Sequence, residues 1–460
     1  MSPEQATLIQ QVCQRWQAEV IDPIADPLRI AVAEGSLQPL LQALRFVTDQ
    51  PLDIVPCSPA QLAHYAQQAV PEAPSAAPIA TVLDDLLETA LVRRASDMHI
   101  EPQETHLQIR LRVDGVLHAL PPLALAQHAP LLARLKILAG LDIAERRLPQ
   151  DGQFSQWVGQ RPCAFRLATL PTRHGEKAAI RLLESRAQAR SLANLGMPAE
   201  ALACFQAALA RPQGMILVTG PTGSGKTFTL YSALQAINTP CRKVCSVEDP
   251  VEMPVAGLNQ TQTHAPSGLD FQRVLRALLR QDPDVIMVGE IRDAETADIA
   301  LKAAQTGHLV LSTLHTNSTT DTLIRLRQMG IPGWLLATSL RLIIAQRLVR
   351  RLCPHCRHPA AASPSPPAEP AAACASPWIA PGCERCYSGF YGRLALFEIL
   401  PIDARLQQAI AGEAPADRLA DLARQQGMRT LYQAGEQQIA LGETTLAELH
   451  RAVGLPDDDA

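Results

Sequence analysis

An unbroken phosphate-binding pattern lies at residues 220–227, where G-P-T-G-S-G-K-T satisfies G-x-x-x-x-G-K-[ST] at every position. The apolar run at 215–219 predicts a buried strand before it, and residues 228–237 predict a helix after it. At such a turn the glycines let the backbone wrap a phosphate chain, and the helix start supplies N–H donors. Lys226 is expected to reach the β- and γ-phosphates, and Thr227 to bind Mg²⁺. The predicted nucleotide-binding residues are Gly220, Pro221, Thr222, Gly223, Ser224, Gly225, Lys226 and Thr227.

Two further apolar runs end in carboxylates. Residues 285–288 are followed by Gly289 and Glu290, a Walker B arrangement that predicts Glu290 beside Mg²⁺. Residues 243–247 lead into Glu248 and the acidic segment that follows it. Phosphoryl transfer depends on positioning and on charge stabilisation, so we expect one of these two glutamates to orient the attacking water.

Two histidines flank the predicted strand at 309–313. His308 precedes this strand and His315 follows it. A histidine at the end of a strand beside a nucleotide could sense the γ-phosphate, although a lone histidine is more often structural. The residues alone leave both interpretations open.

Two C-x₂-C pairs, Cys353 with Cys356 and Cys383 with Cys386, are separated by 26 residues. Four thiolates at this spacing can close a tetrahedral Zn²⁺ site, and four protein ligands leave no position for water, which predicts a structural role. The Ala- and Pro-rich insertion between the pairs explains the long gap, and Cys374 within it is a less favoured replacement ligand.

Composition excludes several classes of protein. The chain has 460 residues, 47% of them hydrophobic, with a net charge of −4 and eleven cysteines. A nucleic-acid binder usually carries a basic surplus, so no nucleic acid is expected. Neither a signal peptide nor an apolar run of about 18 residues is recognisable, which predicts a cytoplasmic protein without a membrane span.

Element patterns divide the chain into several parts. Strand and helix signals alternate in the first part and a Pro/Ala-rich linker follows it. Asp114-Gly115 between alternating runs predicts a hairpin, and the later strand–helix alternation predicts a largely parallel sheet. The predicted parts are a docking module at 1–69, a linker at 70–78, an α+β domain at 79–186, an ATPase core at 187–350, a zinc-binding subdomain at 351–400 and a helical region at 401–460.

Several longer motifs occur in a characteristic order. These segments are A-S-D-M-H-I-E-P at 95–102, R-V-D-G at 112–115, R-L-P-Q-D-G at 147–152, the loop at 220–227, E-D-P-V-E at 248–252, residues 279–293 and residues 306–316. Together they closely resemble the secretion-ATPase superfamily, and most of all the assembly ATPases of type II secretion and type IV pili.

This resemblance implies a multidomain α/β fold with a RecA-like P-loop core, a preceding PAS-like α+β domain and a hexameric ring that hydrolyses ATP with Mg²⁺. It implies a metal-site role for Glu290, a general-base role for Glu248, and places His308 and His315 in a histidine box. It also implies that Arg166 and Arg181 are brought towards the phosphates. Further arginines near the site would be Arg276 and Arg280, for which a surface salt bridge is the alternative.

We therefore expect a motor that powers assembly of a pilus or pseudopilus, with type II secretion favoured over type IV pilus extension. The short N-terminal module, residues 1–69, is expected to bind an inner-membrane platform protein and to attach the motor peripherally to the membrane. A nucleotide-gated scaffold and a nucleic-acid translocase are the alternatives from other classes. The acidic residues argue against the first, and the net charge of −4 argues against the second.

Overall fold

The computed structural model describes residues 78–159, 161–183, 191–360 and 378–455, with shorter N-terminal stretches at 9, 12–13, 16, 18–22, 27–33, 37–45, 47–48 and 51–58. Two compact units divide the chain: residues 1–87 with 129–134, and residues 88–128 with 135–460. The predicted helix at 59–68, residues 70–77 of the predicted linker and residues 361–377 of the insertion lie outside the described residues.

The first unit contains a three-stranded sheet in the order β1-β2-β3. Strand β2 pairs antiparallel with β1 and parallel with β3. Apolar side chains from β2 and α1, including Leu28, Ile30 and Leu40, form a buried cluster. The elements are β1 (Ala18–Asp22), β2 (Leu28–Ala33), α1 (Leu37–Arg45) and β3 (Leu52–Cys57).

Residues 78–183 contain a sheet in the order β6-β5-β4-β10-β9-β8, with β7 also paired to β5. Buried and half-buried residues alternate along β5, as expected of a sheet with one face in the core. The predicted hairpin turn lies between β5 and β6. The elements are α2 (Ile79–Val92), β4 (Ala95–Pro102), β5 (His106–Val113), β6 (Val116–Ala119), β7 (Leu123–Ala124), α3 (His128–Leu138), β8 (Gln150–Val158), β9 (Arg161–Thr172) and β10 (Gly175–Leu183).

The second large sheet has the order β13-β12-β14-β15-β11-β16-β19. Its first six strands are parallel, and β19 pairs antiparallel with β16 at the edge. Strands β11, β12, β14 and β15 are buried along their whole length, because helices cover both faces of a parallel sheet. The strands are β11 (Gly214–Thr219), β12 (Val244–Glu248), β13 (Asn259–Gln262), β14 (Val285–Val288), β15 (Leu309–Leu314), β16 (Leu340–Leu352) and β19 (Phe390–Pro401).

Helices connect these strands and follow them. Two short strands, β17 (His358–Pro359) and β18 (Trp378–Ile379), form a separate ribbon between β16 and β19. The helices are α4 (Ala199–Leu209), α5 (Lys226–Ile237), α6 (Phe271–Leu278), α7 (Ala294–Gln305), α8 (Thr319–Gln328), α9 (Gly333–Ser339), α10 (Ala404–Ala411), α11 (Ala416–Gln425), α12 (Leu431–Ala440) and α13 (Leu446–Val453).

Two predicted boundaries fall inside strands. Residue 350 lies within β16 and residue 400 lies within β19, and these strands pair over most of their length. The cysteine-bearing segment is therefore an excursion between two neighbouring strands of the sheet that carries the phosphate-binding loop. No helix in the described part of the chain is long and apolar enough to cross a membrane.

Candidate active site

The phosphate-binding loop joins the end of β11 to the start of α5, as its sequence predicts. Gly220, Gly223 and Gly225 have φ values of 147°, 81° and 92°, a region that favours glycine. A Cβ on Gly220 would collide with the backbone oxygen of Gln346. The loop conformation therefore depends on glycine for both its backbone angles and its close approach to β16.

Lys226 folds back onto its own loop. Its Nζ donates hydrogen bonds to the carbonyl oxygens of Gly220, at 2.8 Å, and Pro221, at 3.0 Å. Burial lowers the pKa of Lys226 to about 8, although the nearby Glu290 works to raise it. The hydroxyl of Ser224 is also buried and has no hydrogen-bond partner among the described residues. An ammonium group and an unpaired hydroxyl inside a glycine loop fit the chemistry of bound phosphate oxygens.

Glu290 follows β14 and faces the loop lysine across the cleft. One carboxylate oxygen pairs with the guanidinium of Arg292, and the other lies 3.4 Å from Nε2 of His315. Arg292 also lies 3.8 Å from Asp249. Parallel strands bring these groups together, because β12, β14 and β15 all end at the same edge of the sheet.

Glu248 is buried at the end of β12 and accepts hydrogen bonds from three side chains. Its donors are the hydroxyl of Tyr231, the hydroxyl of Ser246 at 2.6 Å and Nε2 of Gln260 at 3.2 Å. Burial, followed by the contact with Glu248, raises the pKa of Tyr231 well above its usual range, so its hydroxyl remains a donor. Sequence reasoning missed this tyrosine, one and a half turns after Lys226 on α5.

Arg166 and Arg181 lie on neighbouring positions of β9 and β10 and line the same cleft as the loop. Arg181 Nε donates to Asp97 at 3.0 Å, and Arg166 lies 3.6 Å from Asp151. The cleft has a volume of ≈ 1360 Å³. Thr227 lines it too, so the structure gathers the loop, both glutamates, His315 and both arginines in one place.

Three other predicted residues lie away from this cleft. The backbone oxygen of His308 bonds to Gly214, at the end of the sheet opposite the loop, and its Nδ1 lies 3.0 Å from the backbone oxygen of Ala303. Within the part of the chain that the structure describes, His308 therefore does not line this cleft, because it precedes β15. Arg276 forms an exposed ion pair with Glu295, and neither Arg276 nor Arg280 lines the cleft.

The four predicted cysteines converge between β16 and β19. All four sulfur atoms lie within 4.8 Å of one another, including a Cys353–Cys383 distance of 3.8 Å and a Cys356–Cys386 distance of 3.9 Å. Tetrahedral Zn–S bonds of about 2.3 Å place sulfur atoms about 3.8 Å apart, so the four thiols fit zinc. The alternative ligand Cys374 lies outside the described residues.

Comparison with known proteins identifies relatives over most of the chain. The family described as Type II/IV secretion system protein matches residues 72–451. The chain is 52% identical to the "Protein transport protein HofB homolog" of Escherichia coli K12, over 97% of this chain and 98% of that protein. It is 46% identical to the "Type II secretion system protein HxcR" of Pseudomonas aeruginosa, over 82% and 77% of the two chains. The "Type IV pilus assembly ATPase PilB" of that organism is 45% identical, over 82% and 67%.

A solved structure supports the same assignment. The "Pilus Retraction Motor PilT and Bound ADP" aligns with a TM-score of 0.54 and 26% identity, over 82% of this chain and 97% of that one. These relatives support the predicted ATP hydrolase, which implies a nucleotide and usually Mg²⁺, and they include both secretion and pilus ATPases. The family covers the phosphate-binding loop, the acidic strand ends and the cysteine cluster. The chain belongs to the Type II/IV secretion system protein family.

Proposed function

We propose that this protein is a cytoplasmic, ring-forming ATPase that powers assembly of a pilus or pseudopilus at the inner membrane, and that it serves type II secretion. Extension of a type IV pilus is the alternative, since relatives of both kinds align with similar identity. The observation that carries the proposal is the single cleft that joins the phosphate loop, two strand-end glutamates and two arginines from a second sheet. A nucleotide-gated scaffold that hydrolyses poorly would not require these glutamates and arginines beside the phosphate loop.

Each group in the cleft has a proposed role. Lys226 exchanges its two carbonyl acceptors for phosphate oxygens, and Thr227 with Glu290 would hold Mg²⁺, which supplies charge neutralisation when bound. Glu248 orients the attacking water as general base, and its three donors fix the direction of the carboxylate. His315, whose Nε2 lies 3.4 Å from Glu290, is proposed to sense the γ-phosphate.

Arg166 and Arg181 are proposed to stabilise charge on the phosphates when the cleft closes. Each is paired with an aspartate and half-exposed, so it can change partner at small cost. Both arginines lie on a different sheet from the phosphate-binding loop. We call the sheet that carries the loop, β13-β12-β14-β15-β11-β16-β19, the motor sheet. Closure of the arginine-bearing sheet towards the motor sheet would couple hydrolysis to movement. The structure leaves His308 without a proposed role in this cleft.

The remaining parts are proposed to support this motor. The four cysteines would hold one structural Zn²⁺ that fixes the excursion between β16 and β19. Residues 1–69 would bind a platform protein of the inner membrane, and six copies would form the ring. The predicted α+β domain at 79–186 and helical region near 401–460 remain part of the proposal, whereas the ATPase core extends from residue 187 through β16 to β19, with the zinc-bearing segment inserted between these two strands.

The test is a chromosomal Lys226→Ala substitution in the native host, with exported enzymes in the medium and surface pili scored side by side. Loss of export with intact pili supports a secretion motor, and loss of pili with intact export supports a pilus motor. Purified Lys226→Ala and Glu290→Gln proteins are expected to lose ATP hydrolysis. A wild-type rate in either variant would refute the assigned site.

A further inference from the structure

The carboxylate proposed to serve the metal is already occupied by two basic side chains. One oxygen of Glu290 pairs with Arg292 and the other faces His315. A divalent cation at this carboxylate therefore competes with these side chains for its oxygen atoms and is repelled by the guanidinium charge. This inference rests on the proposed function, because it assumes that the cleft binds nucleotide with Mg²⁺.

We propose that Arg292 is a positioning residue that competes with Mg²⁺ for Glu290 and thereby sets how much Mg²⁺ the nucleotide site requires. Arg292 stands two residues after Glu290 in the same loop and bridges it to Asp249 at the end of the neighbouring strand. The guanidinium partly offsets the charge of both acids and holds the carboxylate of Glu290 in place.

The exposure of these side chains shows which partner can leave. The side chain of Arg292 is 61% exposed, whereas that of Glu290 is 18% exposed. The mostly exposed arginine can therefore turn towards solvent more readily than the largely buried carboxylate can move. A guanidinium cannot lose its proton, so it leaves as a cation, and its charge is replaced by that of the metal. Asp249 offers it a second anchor after release.

Competition of this kind has a quantitative signature. Exposed ion pairs change an equilibrium by at most about fivefold, and because Glu290 is only 18% exposed we place this pair at the upper end of that range. Removing the charge at residue 292 should therefore lower, by about fivefold, the Mg²⁺ concentration that gives half of the metal's effect on nucleotide binding. A side chain that bound phosphate directly would behave differently, because its loss would weaken nucleotide binding even without metal.

The experiment measures binding of fluorescent N-methylanthraniloyl-ADP to the full-length protein, first in EDTA and then during a MgCl₂ titration. Arg292→Gln is compared with wild type, with Arg292→Lys, which keeps the charge but lacks the two-pronged geometry, and with Arg424→Gln, which removes an exposed arginine from α11. We expect a half-effect Mg²⁺ concentration about fivefold lower in Arg292→Gln, a smaller shift in Arg292→Lys and none in Arg424→Gln. Affinity in EDTA should stay within twofold of wild type.

Two results would refute the role of Arg292 but leave the proposed function standing. They are an unchanged or higher Mg²⁺ requirement in Arg292→Gln, or a clear loss of its affinity for N-methylanthraniloyl-ADP in EDTA. In both cases wild-type protein still binds the probe in a Mg²⁺-dependent manner. If wild-type protein failed to bind the probe at all, the nucleotide site itself would be refuted. The titration therefore separates the two failures.

Discussion

Asp114 connects the sheet that carries Arg166 and Arg181 to the motor sheet. It lies in the hairpin turn after β5, and its Oδ2 accepts a hydrogen bond from the backbone N–H of Gly392 in β19 at 2.9 Å. Arg94 donates to the same oxygen at 3.4 Å, and its guanidinium lies 3.7 Å from the centre of the Tyr391 ring. We predict that loss of this carboxylate slows ATP hydrolysis by weakening the docking of one sheet on the other.

The magnitude follows from the contacts that are lost. A hydrogen bond to a charged group contributes about 1.5–3 kcal/mol. Asp114 is only 11% exposed, so we take about 2 kcal/mol for its removal. That changes the ratio of docked to undocked states about thirtyfold and sets an upper limit of about thirtyfold on the fall in kcat. KM for ATP should change little, because the loop at 220–227 is untouched.

The choice of variant separates docking from backbone strain. Asp114 has a φ of 50°, which glycine and asparagine tolerate, so Asp114→Gly removes the side chain without straining the turn. Asp114→Asn keeps an oxygen for Gly392 but loses the charge that faces Arg94, and should lie between Asp114→Gly and wild type. Asp142→Asn is the control. Asp142 lies between α3 and β8, and its Oδ1 accepts a hydrogen bond from the backbone N–H of Ala144 in a local turn.

The assay combines steady-state ATP hydrolysis with hydrogen exchange at residues 106–119 and 387–393. Faster exchange in both segments with a lower kcat is the expected result for Asp114→Gly. If kcat stays within twofold of wild type and both segments keep their protection, the reasoning is refuted.

Three further perturbations test other parts of the structure. Purified protein should contain one zinc per chain, and Cys383→Ser should lose it and expose residues 350–360 and 378–395 to protease while ADP binding persists. Wild-type protein that contains no zinc and keeps these residues resistant would contradict the site. Tyr231→Phe should lower kcat about tenfold with little change in KM, because Glu248 loses one donor; an unchanged kcat would count against it. Glu448→Gln should lower the free energy of unfolding by about 3 kcal/mol at pH 7, because this buried carboxylate pairs with Arg350 and Arg451. Burial works to raise the pKa of Glu448, but hydrogen bonds from both arginines outweigh it and lower the pKa. The stabilisation by Glu448 is therefore complete above about pH 5 and is lost as the pH falls through the lowered pKa of this carboxyl. The difference in unfolding free energy between Glu448→Gln and wild type, measured in urea, should therefore disappear in acid.

The sequence predicts best where local pattern and tertiary environment agree. The four parallel strands β11, β12, β14 and β15 are short apolar runs between helices, and each was predicted to within one residue at its ends. The phosphate loop needs nothing beyond its glycines and its strand-to-helix context. The two C-x₂-C pairs likewise indicate that the four cysteines lie together, because this spacing is typical of the ligands of one structural zinc ion.

Prediction fails where the partner strand is distant in sequence. The segment Leu340–Leu352 mixes arginines with apolar residues and has no turn signal, and its partner Phe390–Pro401 lies beyond the cysteine excursion. No local pattern indicates that these two segments pair, so the predicted boundaries at 350 and 400 cut through both. Tyr231 was missed for a related reason, since its role depends on Glu248, which comes from a different strand.

The two histidines show how strand direction decides between residues that sequence treats alike. In a parallel sheet the carboxyl ends of all strands share one edge, and the phosphate loop leaves β11 at that edge. Glu248 is the last residue of its strand and Glu290 and His315 follow theirs, so all three converge on the loop. His308 precedes β15 and lies about 20 Å away along six strand residues. Strand direction therefore brings the separated residues of the cleft together and, within one chain, places His308 at the opposite edge of the sheet, although both histidines belong to one motif.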